Sequence, residues 1–242
     1  MGEGRARTTW ALIGGLAVLV GLGRLAPLLG GPGIGALALD LLSLGLTCAA
    51  VLQFSRGDEP RLPWSVRATA LALVVVARSL SLTSHESAYL GIVIVANVVG
   101  AVALILFARL ALRHPLREPL SARGQVLLWS LAVAGIGLAG LVVPTALGEL
   151  DQLRGWALLV STLADGVVFI GGAVTLVATL AIGRGPATWP LLALAGDGLT
   201  HLLLDVAAAF EITGEPIQLL GALAWAFGAG AAASVLWVAW RT

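Results

Sequence analysis

Eight apolar runs follow one another with little chain between them, each about the length needed to cross the ~30 Å hydrocarbon core of a bilayer. They cover residues 10–29, 34–54, 64–83, 88–108, 125–143, 156–182, 189–210 and 217–240. Inside lipid every backbone N–H and C=O must find a partner within the chain, and coiling each run into a helix provides one. The separators carry Pro, Gly and charge, as turns do: Gly30-Gly-Pro-Gly33, Ser55-Arg-Gly-Asp-Glu-Pro60, Arg113-His-Pro-Leu-Arg-Glu-Pro119, Gly183-Arg-Gly-Pro186 and Thr213-Gly-Glu-Pro216. None is long enough to fold as a soluble domain. The expected fold is all-α, a polytopic membrane bundle of eight transmembrane helices, one domain over residues 1–242 with the lipid bilayer as its first partner. Composition agrees: 11% of residues are charged and mean hydropathy is +0.99, whereas soluble domains carry about 25% charge.

Arg5 and Arg7 ahead of the first run also fit a cleaved signal peptide. The lack of a small-x-small cleavage site, with Arg24 followed by Pro27, favours a retained helix.

Arginine placement sets the expected orientation. With the N-terminus in the cytoplasm, Arg5, Arg7, Arg56, Arg61, Arg67, Arg109, Arg113, Arg117, Arg123, Arg184 and Arg241 fall on the cytoplasmic side. The outer turns then hold Arg154 alone, against Glu86, Glu149, Asp151, Glu211 and Glu215. This predicts a bacterial inner-membrane protein with both termini cytoplasmic. Six of the eight Trp stand at span ends (Trp10, Trp64, Trp156, Trp189, Trp237, Trp240), where an amphipathic ring favours the headgroup level. The two halves are loosely alike. Pro27 and Pro144 close a span, Asp40 and Asp165 follow, then Arg56-Gly57 and Arg184-Gly185, then Trp64 and Trp189. That order is compatible with a parallel four-plus-four repeat.

Several function classes are excluded. A net charge of +1 gives no footprint for nucleic acid. Cys48 is the only cysteine, so no disulfide forms within the chain. All fourteen basic residues are Arg, and without Lys neither a retinal Schiff base nor a P-loop can be built. Only His201 of the three His lies in a span, which argues against a membrane haem pair; no cofactor is expected. His-Glu-x-x-His, Gly-x-Ser-x-Gly and Asp-rich prenyl-diphosphate motifs are missing. Asp165-Gly166 and Asp197-Gly198 match only the opening of the CDP-alcohol phosphotransferase motif. The chain is therefore read as not an enzyme.

Charged residues inside the spans are the candidate site. Asp197, His201 and Asp205 are spaced i, i+4, i+8, which places all three on one face of a helix. Counted from the outer ends of their spans, Arg24, Asp40, Arg78 and Asp205 lie about 8–9 Å deep, and Asn97, Asp165 and His201 about 14 Å. Asp197 is deepest, at about 20 Å. These eight residues are the expected ligand- or proton-binding pocket, opening outward and ending near the midplane. The four Asp outnumber Arg24 and Arg78, and such a surplus cannot stand uncompensated in a low-dielectric site. Either one or two Asp hold a proton, Asp197 first by its depth, or a cation binds. A metal site is not expected, because i, i+8 spans ~12 Å along the axis and Asp197, His201 and Asp205 cannot all reach one ion. The plain structural reading stands beside this one: Arg24 and Arg78 snorkel outward and pair with Asp40 and Asp205 to fix packing. Gly171-Gly172, Gly135-x-Gly137 and Ala224-x3-Gly228-x3-Ala232 offer small faces for close helix approach.

The last three spans carry a family resemblance. Leu163-Ala-Asp165, the Arg-Gly turn, Gly196-Asp197 and Ile212-Thr-Gly-Glu-Pro216 lead into Leu220-Gly-Ala-Leu-Ala-Trp225-Ala-Phe-Gly-Ala-Gly-Ala-Ala-Ala233. Over this third of the chain the pattern resembles the N-terminal multi-span sensor region of bacterial GGDEF/EAL (cyclic-di-GMP) signalling proteins and some histidine kinases. Thr162-Leu163 replace that family's Tyr-Pro, and Phe227 its Tyr. The resemblance implies a membrane input module, expected to act without catalytic domains of its own. Its partners would be a cytoplasmic signalling protein and a small ligand or proton from the outer side. A small transporter or proton-coupled permease is the alternative, since intramembrane Asp and His serve either role.

Overall fold

The structure, a computed structural model, describes residues 14–15, 17–25, 31–83, 85–113, 121–182 and 188–241. A first helix, α1, is described over 17–25. It is followed by α2 (Gly31–Leu52), α3 (Arg61–Ser81), α4 (Glu86–Arg113), α5 (Ala122–Gly148), α6 (Leu153–Ile182), α7 (Thr188–Ala209) and α8 (Glu215–Arg241). Seven of them, α2 to α8, are long and apolar enough to cross a membrane. The two ends of the expected first span, His114 and the Gly183-Arg-Gly-Pro186 turn lie outside the described residues.

Two expected boundaries are corrected. Gly31 to Gly33 are helical instead of forming a turn, because a Pro in the first helical turn gives up only an N–H that would be unpaired anyway. Pro144 does not end its span: α5 runs through it to Gly148. An interior Pro removes one backbone hydrogen bond but leaves the rest of a long membrane helix intact.

The helices close into a ring. In order, α2, α3, α4, α6, α7 and α8 each pack on the next, and α8 returns to α2. Outside the ring, α5 lies against α6 and α7. Gly23 of α1 sits on Ala222 of α8, where a Cβ would come 3.1 Å from the alanine's own. One end of the ring carries Arg56, Arg61, Arg109 and Arg123; the other carries Glu86, Glu149, Asp151, Glu211 and Glu215. We call these the arginine-rich and acidic ends.

Small residues set how close the helices come. Between α6 and α7, a Cβ on Gly172 would meet the Ala195 backbone at 2.8 Å, and one on Gly198 would meet Phe169 N at 2.6 Å. Backbones in such contact gain dispersion along their length, which is what holds helices together where lipid removes the hydrophobic drive. At the acidic end Glu211 adopts φ +52°, ending α7. Ile212 N–H donates to Ala207 O and Glu211 N–H to Ala208 O, the hydrogen-bond pattern of a left-handed helix cap.

Toward the arginine-rich end every ring helix contributes to one apolar cluster: Ala50, Trp64, Ala103, Leu104, Phe107, Val168, Leu194, Ala231 and Ala232. Trp64 and Phe107 meet edge to face at 5.1 Å, a geometry that adds about 0.5–1.5 kcal/mol beyond area burial.

Gly171 and Gly172 separate close approach from mere flexibility. Gly172→Ala should lower stability by about 1–3 kcal/mol through overpacking against α7. Gly171→Ala, which meets nothing within 4 Å, should be neutral or stabilise by up to about 1 kcal/mol. Thermal unfolding of the purified variants in one detergent checks the contrast.

Candidate functional site

Inside the ring is a cavity of about 570 Å³, lined by residues of every helix but α5. Helical periodicity builds its walls. Arg67, Ala70, Leu71, Val74 and Arg78 of α3 are spaced 0, 3, 4, 7 and 11, one continuous face. Asp197, His201 and Leu204 of α7 form a second face, and Gln218, Ala222, Trp225 and Gly228 of α8 a third. The cavity reaches Arg24 and Gln218, both exposed near the acidic end, and descends to Arg67 and Asp197, both buried.

The floor is an ion pair. Arg67 Nη2 donates to Asp197 Oδ2 at 2.8 Å, with side chains 8% and 10% exposed. Arg67 comes from α3 and Asp197 from α7, helices that stand opposite in the ring, so the pair bridges the lumen. Glycine 228 of α8 leaves room for it: a Cβ there would lie 3.2 Å from Asp197 Oδ1 and 3.3 Å from Arg67 Nη2. Beyond the pair, toward the arginine-rich end, comes the apolar cluster.

Arg67 corrects two expectations. It belongs to the interior and not to the flanking segment, although it stands only six residues into α3. Its charge also removes the reason for Asp197 to be the neutral acid, because a guanidinium 2.8 Å away supplies the compensation that burial demands. A sequence signal for it existed: Arg67 and Arg78 stand three helical turns apart and so share a face of α3.

The other expected residues fall into distinct places. Arg78 Nε donates to Asp40 Oδ2 at 3.2 Å, one pairing within the expected layer of two Arg and two Asp, for which the sequence had not assigned partners. Arg24 joins neither acid; it pairs at the rim with Glu215, 83% exposed, at 3.1 Å. The imidazole of His201 stands 3.0 Å through Nδ1 from Asp197 O and 3.3 Å from Asp197 Oδ1, and its side chain stays 47% exposed in the cavity. Asn97 and Asp165 line the cavity from α4 and α6.

Asp205 does not line it. Each step of four residues overshoots one helical turn by about 40°, so two steps carry Asp205 about 80° round α7 from Asp197 and onto the contact with α6. There the Ser161 hydroxyl lies 3.2 Å from Asp205 Oδ1 and 3.3 Å from Asp165 Oδ2. Ser161, Gln218 and Trp225 had no place among the residues expected from the sequence. Trp225 Nε1–H donates to Leu39 O at 2.7 Å, tying α8 to α2 beside Asp40. The Ala224/Gly228/Ala232 stripe faces the ring interior: Ala224 and Gly228 line the cavity and Ala232 joins the apolar cluster.

Chemically the cavity offers two neutralised ion pairs, an imidazole, two amides, and one carboxyl, Asp165, with no arginine on it among the described residues. Among those residues, too, no three His, Cys, Asp or Glu side chains gather closely enough to hold a metal ion. No protein-family model, curated protein or solved structure matches the chain.

The floor pair and the rim pair should differ sharply in weight. Arg67→Met strands a buried carboxylate and should cost about 3–5 kcal/mol, and Arg67→Met with Asp197→Leu together should recover most of it. Arg24→Met should cost less than about 1 kcal/mol. Thermal unfolding of the three variants in detergent measures all of these.

Proposed function

We propose that the chain is an eight-span protein of the bacterial inner membrane with both termini cytoplasmic. In this reading the ring cavity is the input pocket of a sensory or regulatory module. The carrying observation is the cavity's one-sidedness: it reaches exposed groups at the acidic end and stops at the Arg67–Asp197 pair, behind which all six ring helices pack apolar side chains. The arginine count supports the orientation, with the acidic end outward. A sensor needs no polar path through the membrane, so a sealed far side suits it.

In this reading a small polar ligand or a proton enters from the outside and changes the ion pairing around Asp40, Arg78, Asp165 and His201. Trp225 and Gly228 place α8 in direct contact with the pocket, and α8 runs on to Arg241 at the cytoplasmic side. Its tilt is the route by which occupancy would reach a cytoplasmic partner. The resemblance to the sensor regions of GGDEF/EAL proteins and histidine kinases points the same way. A small transporter or proton-coupled permease is the second reading. What favours it is the neighbour order, in which α2–α3–α4 and α6–α7–α8 form two successive arcs of one ring, as a parallel four-plus-four repeat would.

Single cysteines in a Cys48→Ser background separate the two. At Leu204 or Gln218 a cysteine should react with a membrane-impermeant maleimide added outside, and at Ala50 or Leu194 it should stay unreactive from both sides. Labelling at Leu194 from the cytoplasmic side under any ligand condition would replace the sensor reading with alternating access.

A further inference from the structure

Two ion pairs neutralise Asp40 and Asp197, which leaves Asp165 and Asp205 as the membrane-embedded acids without an arginine among the described residues. They come from adjacent helices, α6 and α7, and meet at one hydroxyl. Ser161 Oγ lies 3.3 Å from Asp165 Oδ2 and 3.2 Å from Asp205 Oδ1. A serine has one proton and can donate it to one carboxylate at a time. If both acids were ionised, one contact would therefore set lone pair against lone pair between two like charges.

A second observation points to the same place. The Oδ2 atom of Asp205 is buried and has no hydrogen-bond partner. The Thr162 side chain is fully buried, and its hydroxyl faces Asp205 as a donor within reach, without closing a hydrogen bond of good geometry. A carboxylate oxygen can only accept, and hydroxyls donate a hydrogen but carry no charge, so they do not neutralise a second ionised carboxyl. The one basic group within reach is the His201 imidazole, which already bonds Asp197 through Nδ1. The charged or titratable groups near Asp165 are Asp197 and His201, both on α7 and already bonded to each other, besides Asp205 itself. Near Asp205 they are Asp165 and His201. On α4 the polar cavity residue is Asn97, which carries no charge, and the described stretch of α5 has its one ionisable group, Arg123, at the arginine-rich end.

We propose that Asp165 and Asp205 bind a single proton between them through Ser161, and that this proton exchanges with the outer side by way of the cavity. Two carboxyls that share a site and one proton are the expected outcome when like charges stand this close. Asp165 lines the cavity and Asp205 does not, so the proton enters and leaves through Asp165. A metal cation suits the corner less well. The backbone carbonyls of unbroken helices α6 and α7 are committed to helix bonds, which leaves two hydroxyls and two carboxyls for an ion that prefers six or more oxygens.

Loss of the proton places two negative charges across the contact of α6 with α7, which Gly172 and Gly198 hold close farther toward the arginine-rich end. The pair therefore couples outside pH to the spacing of α6 and α7. This deepens the pocket reading and rests only on the cavity being open at the acidic end, whether or not a partner reads the change.

Isotope-edited infrared titration of the full chain, labelled at aspartate and held in lipid nanodiscs, tests it. The expected result is a protonated-carboxyl band at neutral pH that disappears on alkalinisation and is missing at neutral pH from both Asp165→Asn and Asp205→Asn. Ser161→Ala should keep the band but shift its frequency, since one hydrogen bond is lost. A wild-type chain with no such band at neutral pH overturns the proposal without recourse to any variant. So does a band that survives in both asparagine variants, or one that sodium removes at constant pH and ionic strength while choline does not. These outcomes leave the labelling of Leu204 and Gln218 untouched, so the proton site and the pocket fail separately.

Discussion

The bundle is organised around a guanidinium and a carboxylate held 2.8 Å apart in the middle of a ring of helices. Burying either charge alone costs several kcal/mol, and only the partner with good geometry offsets it. The pair joins opposite helices, so it constrains more than one contact. Drawing α3 and α7 toward a common point sets the width of the lumen for the four other helices of the ring. Everything on the acidic side of the pair can remain polar and open. On the other side the lumen closes over apolar side chains from all six ring helices.

Small residues make that constraint possible. Asp197 is flanked by Gly196, which lies against the Phe227 ring of α8, and Gly198, which lies against the backbone of α6. Seated between its two neighbours in this way, α7 directs the intervening acid into the lumen. Gly228 completes the seat by bringing the backbone of α8 over the pair. A side chain at Gly198 would push on the backbone of α6, one at Gly196 on the Phe227 ring, and one at Gly228 on the paired atoms of Asp197 and Arg67 themselves.

How much of this was legible in the sequence depends on which physical signal each residue emits. The helices were legible because a long unbroken apolar run has one low-energy conformation in lipid; α2 to α8 fall where the hydropathy places them, within a few residues. That Arg78 would meet an acid of its own depth was legible, but depth alone did not choose Asp40 over Asp205. Arg67 was not legible, since an arginine so near a span end looks like a flanking charge, and only its alignment with Arg78 along the face of α3 betrays its direction. Arg24 and Asp205 were placed at the right depth but on the wrong partners. Depth is a one-dimensional coordinate, whereas the choice between Asp40 and Glu215, or between the lumen and Ser161, is set by rotation about the helix axis, which only packing decides.

That rotation gives α7 two electrostatic elements of different kinds, about 12 Å apart along its axis. At Asp197 the partner is Arg, whose charge is permanent in proteins, so the cation of that pair does not depend on a proton. At Asp205 the partner is a second acid, and the charge of that pair is set by a proton. Lysine in place of Arg67 would have made the floor titratable too, and the two ends of the helix would then respond together. With arginine below and paired acids above, one part of α7 is anchored while another can move against α6. A cavity arranged this way can register a change at its wall without opening at its base.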